Sequence, residues 1–384
     1  MTDIEFRNVT LDLLDGTRVL DDVSLVVPSG ERLAICGPPR AGKTTLLRIL
    51  VGLEDPTEGE VLIAETVANR MSPRDRNLSM VFSDYLLHPH LDTYDNMAFA
   101  ALLRREQPED EVDALVEEVA DLLALEPVLD ERPSALDDAQ RQRTALGRSL
   151  VRTASAYLFD DAFSAQEPRI RGHVRSVTLQ WQADLSRTSI FTTTQPEEAA
   201  TLADQVAVLN LGWVHQVGSP REIYESPADL FVAGFMGSPV MNLVAAEVKG
   251  SKLTLPFGEV ELSSGQVDRI GERELVVVGI RPEHCFDASR PESYRLIRPI
   301  EFEGRIDDVE WGGKTQSVYL GYEIDPEVEE QLTAIEDDFE FDLFQNFFVA
   351  QLSTDAPAEN GSTLKIAVAS DSLHFFDLET AEAL

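Results

Sequence analysis

Lysine is almost missing from this chain. Five of its 384 residues are lysines, and Lys43 is the only one before Lys249. Asp and Glu outnumber Lys and Arg by 69 to 32, which gives a formal net charge of −37 at pH 7. A surface with this charge repels phosphate backbones and acidic lipid headgroups, so we expect no nucleic-acid partner and no attraction to an anionic membrane. The composition fits a salt-adapted organism or one that prefers arginine, without deciding between them.

Cysteine and long apolar runs are also scarce. Two cysteines, Cys36 and Cys285, cannot form a disulfide framework, so we expect a reducing compartment. No apolar run approaches the ~18 residues of a membrane span, and the first residues lack a charged-then-apolar leader. We therefore expect an unexported protein that works at a membrane only through a partner. The length predicts two or three domains.

The clearest motif is a Walker A pattern, which combines two glycines, a lysine and a hydroxyl residue. An apolar run at 33–36 precedes it and a helical pattern at 45–50 follows it, which is the strand–loop–helix context that this motif requires. Its backbone N–H groups and the helix N-terminus would cradle phosphates. Lys43 would reach the β- and γ-phosphates of ATP, and Thr44 would bind Mg²⁺. The candidate nucleotide-binding residues are Gly37, Pro38, Pro39, Arg40, Ala41, Gly42, Lys43, Thr44 and Thr45.

A second motif supports the first. Residues 156–161 form an apolar run that ends in Asp160 and Asp161, which is a Walker B pattern. The end of such a strand would carry Asp160 into the Mg²⁺ coordination shell. An acidic turn after an ordinary strand would look the same, but the upstream Walker A motif favours the magnesium site.

Hydrophobic periodicity predicts the remaining elements. We expect strands over 4–6, 23–27, 79–82 and 189–193, a strand pair around 57–63, a hairpin over 206–217, and helices over 97–125 and 139–151. From about residue 240 onward, strands alternate with Gly and Pro turns. The unusually acidic stretch 324–340 is interpreted as a solvated insertion.

Several linking segments resemble those of one family. The chain resembles the ATPase subunits of ABC importers of the maltose, sugar and glycerol-phosphate type, over essentially all of its length. The matching segments are residues 85–90, 140–143, 201–208, 222–224, 235–242, 279–284 and 374–384. This resemblance implies an α/β P-loop ABC ATPase domain at 1–236, with a helical subdomain at about 84–150. It also implies a C-terminal, all-β, OB-like regulatory domain at 237–384.

The sequence departs from the family at its catalytic positions. The Q-loop glutamine falls on Ser83, the catalytic glutamate on Asp161 and the switch histidine on Thr194. The aromatic residue that stacks on adenine falls on Leu13 or Leu14. The signature Leu-Ser-Gly-Gly-Gln falls on Leu136, Asp137, Asp138, Ala139 and Gln140, and the D-loop on Ser164, Ala165, Gln166 and Glu167.

These departures predict weak chemistry. A carboxylate about 4 Å from a phosphate charge costs roughly 4 kcal/mol at an effective dielectric of about 20, so Asp137 and Asp138 would repel the opposite subunit's γ-phosphate. The same aspartates are good caps for the following helix. Asp161 is one methylene short, and a shift near 1 Å costs on the order of 100-fold in rate. Thr194 carries no positive charge. We expect ATP binding to be retained and hydrolysis at this site to be slow or absent.

The resemblance also implies partners. Two ATPase subunits of this family meet head-to-tail, and the damaged positions favour a heterodimer with a more complete ATPase paralogue. The pair would dock on two permease subunits at the cytoplasmic face of the cell membrane, and indirectly serve an external substrate-binding protein. The substrate would be a sugar, a polyol or glycerol phosphate. Two alternatives stay open: a non-hydrolytic ATP-binding scaffold or regulator, and an active homodimeric transport ATPase.

Overall fold

The computed structural model describes residues 2–105, 107–164, 166, 168–185, 187–290 and 299–384. The chain divides into two compact units, Met1–Pro220 and Arg221–Leu384. The domain boundary at 236/237 that the resemblance implies stays a prediction.

The strands of the first unit lie in a four-stranded and a six-stranded sheet. They are β1 (Ile4–Asp12), β2 (Arg18–Val27), β3 (Arg32–Cys36), β4 (Glu58–Ile63), β5 (Thr66–Val67), β6 (Leu78–Val81), β7 (Ala156–Asp160), β8 (Thr188–Thr193), β9 (Gln205–Asn210) and β10 (Trp213–Gly218). The smaller sheet is antiparallel, in the order β2-β1-β4-β5. The larger has the order β10-β9-β3-β8-β7-β6, and all its pairs are parallel except β10 with β9.

The burial of its central strands agrees with the parallel arrangement of the larger sheet. Every residue of β7 and β8 is buried, as expected for parallel strands that are covered on both faces. Parallel strands also end at one common edge, where ligands of α/β proteins bind. The ends of β3, β7 and β8 therefore lie side by side and place the two Walker motifs together.

Helices follow or flank these strands. They are α1 (Lys43–Val51), α2 (Thr93–Arg104), α3 (Glu109–Leu122), α4 (Asp138–Val151), α5 (Pro168–Leu185) and α6 (Pro196–Leu202). The sequence predicted continuous helical structure over 97–125, and the structure divides this stretch into α2 and α3. Arg105 adopts φ 55° at the end of α2, and Pro108 is the N-cap of α3, so the helical hydrogen bonds cannot run through.

The second unit is mostly β-structure. Its strands are β11 (Asn242–Lys249), β12 (Lys252–Leu255), β13 (Gly258–Glu261), β14 (Leu275–Ile280), β15 (Cys285–Asp287), β16 (Ile300–Trp311), β17 (Thr315–Gly321), β18 (Phe347–Ser353), β19 (Thr363–Val368) and β20 (His374–Asp377). They form two five-stranded sheets, β13-β12-β11-β14-β20 and β15-β19-β16-β17-β18. Alternating apolar residues of both sheets, such as Val276, Val278, Val318 and Ile366, share one core.

Short helices accompany this β-structure: α7 (Pro220–Glu225), α8 (Leu230–Phe235), α9 (Ser264–Ile270) and α10 (Pro326–Phe339). In the described part of the chain, no helix is both long and apolar enough to cross a bilayer.

The acidic stretch 324–340 is not the solvated insertion that the sequence suggested. It forms α10, in which Leu332 is 4% exposed and Ile335 and Phe339 are partly buried. These residues pack with Leu230 and Phe376 in an apolar cluster. The spacing of 332, 335 and 339 puts them on one helical face, and the carboxylates occupy the other.

Leu332→Ala should therefore destabilise the second unit by about 2–4 kcal/mol, because it leaves a cavity in this cluster. Chemical denaturation of the full chain would measure the loss. Glu330→Ala, at an exposed position of the same helix, serves as control and should change stability by less than about 0.5 kcal/mol. Equal effects of the two substitutions would mean that α10 does not pack on the core.

Candidate nucleotide-binding site

The phosphate loop connects β3 to α1 over residues 37–42 and depends on its two glycines. A Cβ on Gly37 would lie 1.9 Å from the backbone oxygen of Leu209, which no side chain could tolerate. Gly42 caps α1 with φ 103°, a left-handed conformation that favours glycine. The loop can therefore wrap close to the helix axis, so that the first N–H groups of α1 remain available to an anion.

Lys43 lies against this loop. Its Nζ donates hydrogen bonds to the carbonyl oxygens of Gly37 and Pro38, each at 2.7 Å. Burial lowers the pKa of Lys43, although the nearby carboxylates of Asp160 and Asp161 act in the opposite direction. In partly desolvated surroundings the ammonium interacts more strongly with a phosphate than it would in water.

Asp160 joins three elements at the edge of the sheet. The side-chain oxygen of Thr44, at the start of α1, donates to the Asp160 carboxylate at 2.9 and 3.0 Å. Thr192 of β8 donates to the same carboxylate at 2.7 Å, and Asp160 itself is only 2% exposed. A hydroxyl and a carboxylate at this distance are oxygen ligands of the kind that Mg²⁺ prefers. Thr44 and Asp160 would therefore hold the magnesium ion beside the nucleotide phosphates.

Asp161 follows in an unusual backbone conformation, with φ 49°. Its N–H donates to the backbone and side-chain oxygens of Thr192, at 3.3 and 3.2 Å. Burial and then the charge of Asp160 raise the pKa of Asp161, while Ser164 and Lys43 oppose the shift. A carboxyl with a raised pKa is a better proton acceptor for an attacking water than an ordinary aspartate.

The predicted signature residues begin α4. Asp137 is the N-cap, and it forms a capping box in which its carboxylate accepts from Gln140 N at 2.7 Å and Gln140 Oε1 accepts from Asp137 N at 2.9 Å. The predicted capping role of Asp137 is confirmed. Asp138 is the first helical residue and forms an ion pair with Arg141. Ala139 accepts a hydrogen bond from Gln166 at 3.0 Å, and Leu136 is buried.

Four other sequence-predicted positions are at the surface of the first unit. Ser83 and Thr194 are both exposed. Leu13 and Leu14 are 46% and 111% exposed, so neither is held as a platform for adenine. In the D-loop, Ala165 and Glu167 fall outside the described residues. Within the described ranges, no hydrogen bond or ion pair joins the signature aspartates to the phosphate loop.

Sequence reasoning missed Thr192, Thr193 and Glu198. Thr193 donates to Glu198 at 2.6 Å, next to the predicted switch position. Glu198 is 6% exposed, and burial raises its pKa. The run of three threonines at the end of a buried strand was a signal, because hydroxyls inside a parallel sheet need polar partners.

Comparison with known proteins identifies the family to which this site belongs. The ABC transporter family model matches residues 20–164, and the MalK OB fold domain model matches residues 237–285. The trehalose import ATP-binding protein SugC of Mycobacterium tuberculosis is 37% identical over 388 residues, which cover all of this chain and 98% of that protein. The chain belongs to the family of ABC importer ATPases.

Further relatives agree with this family. The sn-glycerol-3-phosphate import ATP-binding protein UgpC of Bordetella pertussis is 40% identical over 286 residues, covering 74% of this chain and 79% of the relative. Among solved structures, a dimeric post-hydrolysis state of the ATP-binding cassette MJ0796, bound to ADP and Pi, has a TM-score of 0.54 at 23% identity. It covers 57% of this chain and 99% of its own, and it supports the cassette fold of the first unit.

Replacing Asp161 with Asn should raise the thermal stability of this ABC importer ATPase at neutral pH. Its pKa lies above the ordinary value near 3.8, so the ionised carboxylate is disfavoured in the fold. Above the raised pKa this costs stability, and the cost disappears as pH falls towards 3.8. Each kcal/mol recovered raises Tm by about 2–4 °C, which thermal unfolding at pH 8 and pH 5 would detect.

Asp84→Asn is the matched control, since it removes one charge from an exposed position. A gain in Asp84→Asn as large as that in Asp161→Asn would assign the effect to the overall charge of the chain. A loss of stability in Asp161→Asn would contradict the unfavourable burial of this carboxylate.

Proposed function

We propose that this chain is the ATP-binding subunit of an importer for a sugar, a polyol or glycerol phosphate, and that Mg·ATP occupies the phosphate loop. The main support for the proposal is the hydrogen bond from Thr44 to Asp160, which lies beside the phosphate loop. At Gly37 this loop has no space for a side chain. Full-length similarity to a trehalose import subunit and similarity to glycerol-3-phosphate import subunits support the substrate class.

An apolar groove supports docking on permease subunits. In the first unit, a groove of about 440 Å³ is lined by Leu53, Leu86, Phe99 and Leu103, which are 39–69% exposed. An apolar patch on the surface of such an acidic chain indicates a protein partner. We assign it to a cytoplasmic segment of the permease, with apolar side chains that fill the groove.

This groove is connected to the last turn of α4. Arg148 of α4 donates to the carbonyl oxygens of Tyr85 and Leu86, at 2.9 and 2.7 Å. Tyr85 and Leu86 both have a positive φ, 63° and 42°, which residues other than glycine rarely adopt. Arg148 therefore holds an unfavourable loop in place, so that movement of the permease segment against Leu86 would be transmitted to α4.

Hydrolysis at this chain's own phosphate loop is proposed to be weak. Asp161 has the shortened side chain, and the exposed Thr194 and Ser83 supply neither a cation nor the reach of a glutamine. At the signature, the Asp137 carboxylate caps the N-terminus of α4. In the family, the N–H groups at this helix N-terminus bind a γ-phosphate held by the opposite subunit. Asp138 adds a second negative charge there.

These features favour a heterodimer with a more complete ATPase paralogue. In one mixed site, Lys43 and Asp160 of this chain would clamp ATP against the paralogue's signature. In the other site, the paralogue's catalytic residues would face Asp137 and Asp138. A homodimer would combine both sets of weakened positions in each of its two sites, which makes it the less favourable assembly.

ATP binding and turnover should be measured for the purified chain alone and mixed with a candidate paralogue. We expect micromolar binding of Mg·ATP, its loss in Lys43→Ala, negligible turnover alone, and turnover after mixing. Lys249→Ala, which removes a lysine from the second unit, is the control and should bind normally. Brisk turnover by the chain alone would establish the active homodimer. If the chain bound no nucleotide, a scaffold role would be the remaining alternative.

Restoring the signature should increase turnover of the mixed pair. Asp137→Ser retains a good N-cap without the charge, and Asp138→Gly removes the second carboxylate. We expect the double variant to hydrolyse ATP at least tenfold faster in the presence of the paralogue, since each removed repulsion is worth up to about 4 kcal/mol at close range. The measurement is steady-state phosphate release.

The double variant Asp110→Ser/Glu118→Gln removes two charges from exposed positions of α3 and is the control for net charge. It should leave turnover unchanged. If the restored signature gives no increase while ATP remains bound, the aspartates are not what limits hydrolysis.

A further inference from the structure

The second unit contains an open cleft that the nucleotide site does not use. Its volume is about 700 Å³, which lies in the range of small-molecule sites. The walls come from α7, the end of α9, the segment after β14 and the start of β20. Among its lining residues are Arg269, Arg281, His284 and His374.

Arg281 is the central cation of this cleft and is 1% exposed. Its Nη1 donates to Met236 O at 2.5 Å and its Nη2 to Tyr224 O at 2.7 Å. The guanidinium also stacks on the Tyr224 ring, 3.8 Å from its centre. These contacts fix the guanidinium, and Nε finds no hydrogen-bond partner among the described residues.

Among the residues that the structure describes, Arg281 is buried without a carboxylate partner, as are Arg76 and Arg143, but those two also use Nε to bind a backbone carbonyl. Neither Arg281 nor Arg269 forms an ion pair within the described residues, although the chain has 69 acidic side chains. Burying an uncompensated cation is costly. Burial indeed lowers the pKa of Arg281, although Tyr224 and Glu283 counteract the shift.

Two of the nearby carboxylates are already used by other groups. Glu283 accepts a hydrogen bond from the hydroxyl of Tyr224. Glu225 forms an ion pair with Arg221 at 2.8 Å. Asp371 lies at an exposed position of the rim. The two arginines therefore face the cleft without a neutralising partner at ion-pair distance.

Two imidazoles also line the cleft, those of His284 and His374. His284 has a buried Nδ1 without a hydrogen-bond partner in the described part of the chain. Burial, followed by the charges of Arg281, His284 and Arg269, lowers the pKa of His374 to about 4. Arg281 and Arg269 give the surroundings of His374 a positive potential, and the His374 imidazole itself is neutral at pH 7.

We propose that this cleft binds a small phosphorylated metabolite or free phosphate through Arg281, Arg269 and the two imidazoles. Arginine donates charge-assisted hydrogen bonds to phosphate oxygens, and the planar guanidinium suits that geometry. A neutral imidazole adds an ordinary N–H donor. The anion would compensate the buried charge of Arg281 from the cleft. The cleft leaves room beside the phosphate for a group as large as a hexose.

The test uses the full chain carrying Lys43→Ala, so that phosphate binding at the nucleotide site does not contribute. Calorimetric titrations at constant ionic strength would compare inorganic phosphate, glucose 6-phosphate and glucose. We expect saturable binding of the two anions and none of glucose. Tighter binding of glucose 6-phosphate would identify a metabolite as the ligand, and equal binding would identify free phosphate.

Matched substitutions in the same background locate the site. Arg269→Gln should weaken binding about 10- to 100-fold, as expected for the loss of a hydrogen bond to a charged group. Arg305→Gln removes an exposed arginine of β16 outside the cleft and should change the affinity less than twofold. In NMR spectra, the His374 imidazole, assigned with His374→Gln, should shift on addition of phosphate.

Absence of saturable anion binding would overturn the proposal. So would equal weakening by Arg269→Gln and Arg305→Gln, which would indicate only a general effect of charge. Binding that leaves the His374 resonance unmoved would place the anion elsewhere. None of these outcomes depends on ATP binding or hydrolysis, so they are separate from the proposed transport function.

Discussion

The buried carboxylate of Asp160 is the interaction on which the nucleotide site depends. A carboxyl group at 2% exposure is stable only where hydrogen bonds replace water, and Thr44 and Thr192 provide them. These contacts connect the end of one strand to the start of α1 and to the neighbouring strand. They also fix the backbone that continues into Asp161. The left-handed conformation of Asp161 sets the direction of its own carboxyl group.

Arginine has a structural role in this chain that lysine could not fill. Arg76 donates to the carbonyl oxygens of Ile49 and Leu50 at the end of α1, and Arg143 donates to Leu123 O. Arg148 and Arg281 use backbone carbonyls in the same way. A guanidinium has five N–H donors in a planar fork and can join two carbonyls at once, whereas an ammonium is a compact point charge. The phosphate loop is the place where the compact charge is needed, and there the chain has Lys43.

The local motifs could be predicted from sequence, and the long-range contacts could not. The phosphate loop and the hairpin around Gly212 follow from neighbouring residues, and the structure contains both as predicted. The partnership of Thr192 with Asp160 depends on which strands lie side by side, which periodicity does not reveal. In α10, abundant carboxylates concealed the apolar spacing around Leu332. The catalytic roles at Asp161 and Thr194 were inferred from the positions that the family uses. These roles stay predictions.

The first turn of α4 follows the preferences of an ordinary helix. Where the family signature has two glycines, Asp138 and Ala139 stand, and each favours helix formation by up to about 1 kcal/mol over glycine. Asp138 also suits the positive end of the helix dipole. Stability gained in this way commonly comes at the expense of function, because a binding site is conformationally costly to maintain. If this turn binds no phosphate, as proposed above, helix stability alone favours such residues at its start.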